Sequence, residues 1–430
     1  MSRPSVAVIV LNWNGRAYLE ACLAALEAQT LAPDRLILAD NSSSDDSVAF
    51  VRARFPRAII REIGGNVGFA AGNNAVLRDE TADIVVLVNP DVVPAPGCLA
   101  ALVGALADPS AGIAGARLHY PDGEIIQHAG GTITHPQALP GHYGMGERDE
   151  GQHAARRDVE YVIGAAMAVR RSLLDKIGLM DEGFFLFFED VDLCARARRA
   201  GFRVVYEPDA TGIHIESATA RRGSFTYLQR FHSSRWRYLL KHFPADEIIE
   251  QTMAAEAAWL DGLDAAERRA VGLAYLSTLR RLPDILRARA RDGAGALSGE
   301  EAKDIEAVLA GLLARARDRA FDQDALDRLS AAAVLRERPF TSTVPLLGPL
   351  IAAFRAAWNN VASRWYLNHI MTQQNAFNAL AVGHLERYET ELREQMALLE
   401  EEIVITTELQ ERIAQLEARV AAKQPGHPAK

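Results

Sequence analysis

Two carboxylates follow an unusually apolar run in the segment FFLFFEDVDLC at residues 184–194. Glu189 and Asp190 come directly after five large apolar side chains. One explanation is structural, since acids in the first turn of a helix interact favourably with the helix dipole. The other is catalytic, because apolar neighbours exclude water from a carboxylate and raise its proton affinity, as a general base near neutral pH requires. The segment supports both equally, and we expect Asp192 to cap the helix or face solvent.

Three further polar residues follow or end predicted strands. Asp91 belongs to NPDVV, and a carboxylate at a strand end can hold a divalent cation that bridges a diphosphate, although Asn-Pro-Asp is also good turn chemistry. His214, in GIHIESA, could join such a carboxylate on a metal, whereas an isolated histidine of this kind is more often a core residue. Asp40, in LADNSSSDDS, is more often a turn or helix-cap residue.

The segment GGNVGFAAGNN at residues 64–74 is rich in glycine and enters a predicted helix. It fits close backbone packing beside a ligand, or a loop that cradles a phosphate. It is not a P-loop, because Gly-Lys-Ser/Thr is missing, and the glycine spacing of dinucleotide-binding folds is also absent. Asn66, Gly68 and Asn73 are the candidate ligand-binding residues of this segment.

Alternating strands and helices are predicted to position these residues. The buried-strand patterns are VAVIVLN at 6–12, RLILAD at 35–40 and DIVVLVNPD at 83–91. Strands and helices in this order predict a doubly wound α/β sheet, whose ligands bind beyond the carboxyl ends of the strands. Asn12, Asp40 and Asp91 all fall at that edge, so three strands bring polar side chains to one place.

The chain changes character after the predicted α/β domain. We predict an α/β domain at 1–243, a helical domain at 244–335, an apolar amphipathic helical segment at 336–384, a coiled coil at 385–422 and a disordered tail at 423–430. The apolar segment is equally consistent with a helical core and with an in-plane anchor on a membrane surface. Heptad spacing in the coiled-coil segment predicts self-association or a partner helix.

Charge and hydropathy limit the function classes. The net charge of −9 argues against a general nucleic-acid binder, whose affinity depends on phosphate neutralisation. The amino terminus lacks the pattern of a secretory signal, and no apolar run of about 18 residues predicts a membrane span. We therefore expect a cytoplasmic protein, with peripheral contact to the inner face of the cell membrane as an option.

Six segments in the first half of the chain carry a family resemblance. They are VAVIVLNWNG, LADNSSSDDS, GGNVGFAAGNN, VLVNPDVV, GAAMAVRRSLLDKIGLMDEGFFLFFEDVDLCARARRAG and GIHIESA. In this order they resemble the family-two nucleotide-sugar glycosyltransferases with the GT-A fold, in particular the rhamnosyltransferases of bacterial surface polysaccharides. The expected fold is thus a GT-A doubly wound mixed α/β sheet, followed by an α-helical region and a C-terminal coiled coil.

The resemblance implies a role for each candidate residue. Asp190 looks like the catalytic base, and Glu189 would support it or touch the acceptor. Asp91 and His214 look like metal ligands for Mg²⁺ or Mn²⁺. The implied donor-binding residues are Asn12, Asp40, Asn66, Gly68, Asn73, Asn89 and Asp91, with Asp40 at the pyrimidine base. Asn89 stands where the family usually has aspartate, which leaves one negative charge fewer for the metal.

The activity implied by the resemblance is inverting transfer of a sugar, with rhamnose a candidate, from a nucleoside-diphosphate-sugar to a hydroxyl of a glycan or lipid-linked acceptor in surface-polysaccharide synthesis. The alternative is a non-catalytic scaffold that binds nucleotide-sugar and organises a glycan-assembly complex through its coiled coil. A nicotinamide oxidoreductase is excluded by the missing glycine fingerprint. The coiled coil predicts a homo-oligomer, and no nucleic-acid partner is expected.

Basic residues cluster shortly after the last of these segments. They are Arg221, Arg222, Arg230, Arg235 and Arg237. A solvated basic surface is slightly favoured. The alternative is a mobile loop that meets the donor phosphates or an anionic lipid-linked acceptor.

Overall fold

The chain forms two compact units. In the computed structural model, one unit contains residues 1–317 together with the end of the chain from 404, and the other contains residues 318–403. The structure describes residues 3–215, 223–318, 333, 347–362 and 364–423. The division into five parts that we expected from the sequence stays a prediction.

A mixed β-sheet forms the centre of the first unit. The strands are β1 Val6–Asn12, β2 Arg35–Asp40, β3 Ile59–Glu62, β4 Ile84–Val88, β5 Val92–Pro94, β6 Ala111–His119, β7 Ile126–His128, β8 Gly131–Thr134, β9 Leu139–His142, β10 Arg157–Asp158, β11 Ala166–Arg170 and β12 Arg203–His214. The main order is β10-β12-β6-β11-β4-β1-β2-β3, with β5 on β12, β7 on β6 and β8–β9 as a separate hairpin. Because β1 runs parallel to β2 and β4 while β11 is antiparallel to β4 and β6, the predicted mixed sheet is confirmed.

Helices flank the sheet and continue beyond it. They are α1 Arg16–Glu27, α2 Ser47–Arg54, α3 Gly68–Leu77, α4 Cys98–Ala105, α5 Arg171–Ile177, α6 Glu189–Arg199, α7 Phe225–His242, α8 Ala245–Glu247, α9 Met253–Gly262, α10 Ala265–Asp292, α11 Gly299–Asp318, α12 Gly348–Ala362 and α13 Arg364–Lys423, with a π-helical turn at Ile248–Thr252 between α8 and α9. The expected helical C-terminal region is therefore present.

The alternating side chains of β1 show why this strand is apolar along its whole length. Ala7 and Ile9 belong to one core cluster, which also contains residues of α3, α6 and α7. Val6, Val8 and Val10 belong to a second cluster, with residues of α1, α2 and α4. Both faces of the strand are thus covered by helices, as a doubly wound sheet requires.

The third predicted strand is shorter than expected. We predicted 83–91, whereas β4 ends at Val88 and Asn89–Asp91 forms a turn, closed by a hydrogen bond from Val92 N–H to Asn89 O at 3.1 Å. Pro90 explains the difference, because it has no N–H to donate to a neighbouring strand. The chain then enters β5, which places Val92 opposite His214 on β12.

The second unit contains α12 and the first part of α13 among its described residues. Leu350, Phe354 and Trp358 lie four residues apart on α12 and are 68–71% exposed. The surface-anchor and helical-core interpretations of this segment both stay predictions. Leu392 and Leu399, two heptad residues of α13, are also exposed, and the coiled coil stays a prediction. Within the described ranges, no helix is long and apolar enough to cross a bilayer.

Candidate active site

A cavity of about 620 Å³ lies in the first unit, beyond the carboxyl ends of β1, β2 and β4. Of the predicted site residues, it is lined by Asn66, Gly68, Asn89, Asp91, Glu189, Asp190 and His214. These residues come from separate segments of the chain, so the fold brings most of the predicted site together.

Three predicted donor-binding residues do not line this cavity. Asn12 and Asp40 end the neighbouring strands β1 and β2, where Asn12 Nδ2 donates to Asp40 Oδ1 at 3.1 Å. Asp40 also accepts hydrogen bonds from the backbone N–H and the hydroxyl of Ser43, which is the turn chemistry expected of such a residue. Asn73 donates to Phe69 O within α3. The donor-binding role of these three residues stays a prediction.

Asp91 and His214 meet where β5 pairs with β12. His214 Nε2 lies 3.5 Å from Asp91 Oδ1, and His214 Nδ1 lies 2.6 Å from Gln127 Oε1. An amide oxygen can only accept, so Nδ1 donates to Gln127, and Nε2 is the ring nitrogen that faces Asp91. A carboxylate and an imidazole nitrogen are ligand types that can share a divalent cation, and Gln127 orients the imidazole.

These residues fit a divalent cation as a partial site. The described residues contain no cluster of three or more histidine, cysteine or acidic side chains able to hold a metal by themselves. Mg²⁺ commonly binds through one or two protein ligands and completes its shell with phosphate oxygens and water. Asp91 and His214 therefore fit a cation that is held jointly with a phosphate-bearing ligand.

The backbone before α6 adopts an uncommon conformation. Phe187 and Phe188 have φ values of 70° and 67°, the left-handed region that a bulky side chain rarely occupies. The preceding turn is fixed by a hydrogen bond from Phe69 N–H to Phe185 O at 2.7 Å. Gly68 permits this contact, because a Cβ at that position would lie 2.3 Å from Phe185 O. Strain is thus held immediately before Glu189, at the cavity wall.

Glu189 and Asp190 form an unequal pair of carboxyl groups. Asp190 accepts hydrogen bonds from the N–H groups of Gly164 and Val191, both at 2.8 Å. Glu189 is 5% exposed, and its Oε2 has no hydrogen-bond partner within the described structure. Burial, and then the Asp190 charge, raise the pKa of Glu189 well above its usual value. Burial also raises the pKa of Asp190, but its N–H donors oppose this. The arrangement favours a neutral Glu189 beside an anionic Asp190.

The expectation for Asp192 is wrong. This residue neither caps the helix nor faces solvent, since it is fully buried and α6 has no side-chain cap. Its carboxylate lies 2.8 Å from Arg196, 2.7 Å from Lys241 and 2.7 Å from His242. Burial would raise the pKa of Asp192, but the Arg196 and Lys241 charges hold it well below its usual range. Asp192 is therefore a charged residue of the core.

Two arginines of the predicted basic cluster, Arg235 and Arg237, are buried and do not form a solvated surface. Arg235 is fully buried and pairs with both oxygens of Glu256, at 2.8 and 2.7 Å. Arg237 is 5% exposed and pairs with Asp181 at 2.9 Å. Arg230, by contrast, lines the cavity. Arg221 and Arg222 lie outside the described residues.

Several lining residues were missed by the sequence interpretation. They include Asn41, Gln127, His142, Tyr161 and Tyr227. Asn41 accepts a hydrogen bond from Val67 N–H and donates to Asn66, so it ties the end of β2 to the glycine-rich segment. Its position directly after Asp40 was an available signal. Gln127 lies on a three-residue strand with no recognisable motif, and only the fold places it beside His214.

The mixed sheet and its carboxylate-lined cavity define a GT-A-like α/β enzyme. The model of the family described as "Glycosyltransferase like family 2" matches residues 4–239, which is more than half of the chain. The protein therefore belongs to this family and is a glycosyltransferase.

Three named relatives are similar to part of this chain. N-acetylglucosaminyl-diphospho-decaprenol L-rhamnosyltransferase of Mycobacterium tuberculosis is 30% identical over 254 residues, which covers 54% of this chain and 83% of that protein. The O-antigen biosynthesis protein RfbC of Myxococcus xanthus is 29% identical, over 51% of this chain and 18% of that protein. Rhamnosyltransferase WbbL of Escherichia coli is 36% identical over 84 residues, or 19% of this chain and 31% of that protein.

Proposed function

We propose that this glycosyltransferase moves a sugar from a nucleoside-diphosphate-sugar to a hydroxyl of a glycan or lipid-linked acceptor, with inversion at the anomeric carbon, in cell-surface polysaccharide synthesis. Rhamnose is the first candidate sugar, because two relatives are named as rhamnosyltransferases. The relative named for O-antigen biosynthesis supports a polysaccharide product.

The unequal carboxyl pair is the observation that carries the proposal. Asp190 takes the proton of the acceptor hydroxyl while the hydroxyl oxygen attacks the anomeric carbon of the donor sugar. The bond between that carbon and the diphosphate oxygen breaks in the same step. Each Asp190 oxygen accepts one backbone N–H, so each retains a lone pair for an incoming hydroxyl. A neutral Glu189 can donate a hydrogen bond to the acceptor without adding a second charge. General-base catalysis of this kind contributes about 10²–10⁴-fold.

Asp91 and His214 would hold Mg²⁺ or Mn²⁺ together with the donor diphosphate. The bound cation would stabilise negative charge on the leaving diphosphate. Because the protein supplies a partial ligand set, Mn²⁺ should bind measurably only when a nucleoside diphosphate is present. Calorimetric titration of Mn²⁺ with and without nucleotide tests this, and His214→Ala should remove the nucleotide-dependent binding. Tight Mn²⁺ binding to the protein alone would contradict the shared site.

The donor nucleoside would lie towards the ends of β1 and β2. We assign Asn41, Asn66 and Gly68 to direct contact because they line the cavity. Asn12 and Asp40 would then position these residues without touching the donor, since Asn41 follows Asp40 in the chain. Asn73, bonded within its own helix, would position the segment that carries Gly68.

Two exposed apolar surfaces suggest how the chain contacts a membrane and other copies of itself. The α12 face of Leu350, Phe354 and Trp358 suits peripheral contact with a membrane that carries a lipid-linked acceptor. The exposed heptad residues of α13 suit self-association. No observation favours the non-catalytic scaffold over an enzyme.

A donor screen tests the proposal most directly. Thermal unfolding of the full chain with Mn²⁺ and dTDP-, UDP- or GDP-sugars should show one donor that raises Tm, because a ligand specific for the folded state stabilises it by mass action. That donor should then be consumed when acceptors are added. If no nucleotide-sugar shifts Tm or is consumed, the enzyme proposal fails for these donor classes.

A further inference from the structure

Arg230 differs from the other arginines of α7. The guanidinium groups of Arg235 and Arg237 are paired with the buried carboxylates of Glu256 and Asp181. The Arg230 guanidinium instead lies 4.2 Å from the centre of the Phe185 ring. It forms no hydrogen bond or ion pair with any residue that the structure describes, although Glu411 lies near enough to favour its charge. This half-buried cation therefore has an acidic residue nearby in Glu411, but no described residue forms a direct hydrogen bond or ion pair with it.

The charges of the cavity make this cation unusual. Three acidic residues line the cavity, namely Asp91, Glu189 and Asp190, while Arg230 is the sole lysine or arginine among its described lining residues. Burial lowers the pKa of Arg230, which reflects the cost of removing the guanidinium from water. An anionic ligand would offset that cost. A guanidinium stacked on an aromatic ring keeps its N–H edge available for two parallel hydrogen bonds to a phosphate.

The position of Arg230 points to the acceptor side of the cavity. Phe185 belongs to the apolar run that leads directly to Glu189 and Asp190. Tyr227, about one turn before Arg230 on α7, and Phe231, the next residue after it, pack against Phe187 with ring centres 4.9 and 5.9 Å apart. This aromatic wall is continuous with the proposed base. The proposed diphosphate site at Asp91 and His214 lies instead at the β5–β12 pairing.

We propose that Arg230 binds a phosphate group of the acceptor, so that the preferred acceptor is a glycosyl phosphate or diphosphate rather than a neutral glycan. This inference rests on the proposed function and adds an acceptor class to it. The aromatic wall takes the apolar face of the acceptor sugar, and the guanidinium takes the phosphate attached to that sugar. Arg230 is thus a specificity-determining residue.

A binding experiment can test Arg230 separately from catalysis. Farnesyl diphosphate is titrated into the full chain with Mn²⁺ and saturating nucleoside diphosphate, so that the donor diphosphate site is already filled. Arg230→Ala should weaken this binding by about 10–100-fold, as expected for loss of charge-assisted hydrogen bonds, and Arg230→Lys should restore part of it. Arg287→Ala, at an exposed arginine on α10, is the control and should bind as the native protein does.

Two outcomes would overturn the inference. Equal affinity of Arg230→Ala and the native protein for farnesyl diphosphate would remove the phosphate-binding role. A loss of nucleoside-diphosphate affinity in Arg230→Ala, measured without farnesyl diphosphate, would assign the guanidinium to the donor instead. Donor consumption by the native protein is measured in parallel. Its absence would count against the proposed transferase activity and would leave the binding comparison to decide the role of Arg230.

Discussion

Replacement of Asp190 by asparagine separates catalysis from binding. Asparagine has nearly the same shape, and its single oxygen can keep one of the two hydrogen bonds that Asp190 accepts at 2.8 Å from Gly164 and Val191. The amide cannot take a proton from the acceptor hydroxyl. The transfer rate should therefore fall by about 10²–10⁴-fold, which is the usual contribution of a general base. This loss corresponds to a barrier increase of about 3–5 kcal/mol.

The assay compares turnover with donor affinity in the same preparations. Release of nucleoside diphosphate in the presence of acceptor gives the rate, and calorimetry gives the donor Kd, which should stay within a few-fold of the native value. Asp175→Asn, at an exposed aspartate on α5, is the matched control and should change neither quantity. A parallel loss of donor affinity and turnover in Asp190→Asn would refute the base assignment and make Asp190 a structural or metal-binding residue.

Three further perturbations test the electrostatics and the assembly of the chain. The folded-state pKa of Glu189 is raised, so the native protein loses stability as pH rises from the unfolded pKa towards the folded one. The Tm of Glu189→Gln, relative to that of the native protein, should therefore increase as pH rises above about 4. A Tm difference that does not change with pH would contradict this. Lys241→Met leaves the buried Asp192 charge without its ammonium partner and should lower the free energy of unfolding by about 3–5 kcal/mol, measured with urea; a change below 1 kcal/mol would argue against a charged Asp192. Arginine at both Leu392 and Leu399 should reduce the oligomeric mass in light scattering, whereas an unchanged mass would argue against the coiled coil.

The sheet could be predicted because its strands are buried on both faces. In β1 and β2 every position but one on each strand is inaccessible or nearly so, and continuous apolar runs are what such burial demands. The predicted limits of both strands, 6–12 and 35–40, match the structure. The predicted third strand, 83–91, is too long at its carboxyl end, because Pro90 places Asn89 and Asp91 in a turn.

The long-range ion pairs could not be predicted from spacing. Arg235 and Glu256 are 21 residues apart, and Lys241 and Asp181 are 60 residues apart, so no local pattern joins them. A run of arginines on a helix usually indicates a solvated surface. This expectation is wrong for Arg235 and Arg237, because α7 packs into the core there. Each buried charge there has a partner, which is the condition under which a protein interior accepts charge.

The three acids at the start of α6 show how far local sequence determines chemistry. Glu189, Asp190 and Asp192 lie within four residues of one another, and the helix dipole favours negative charge on all of them. Their proton affinities diverge because their partners differ. Among the described residues, one Glu189 oxygen has no hydrogen-bond partner, Asp190 has two N–H donors, and Asp192 has a guanidinium and an ammonium. Asp192 is the poorest base of the three, since its paired charges give it the lowest proton affinity. Glu189 is neutral and already holds the proton that a base would have to accept. By this reasoning Asp190 alone combines negative charge, raised proton affinity and access to the cavity.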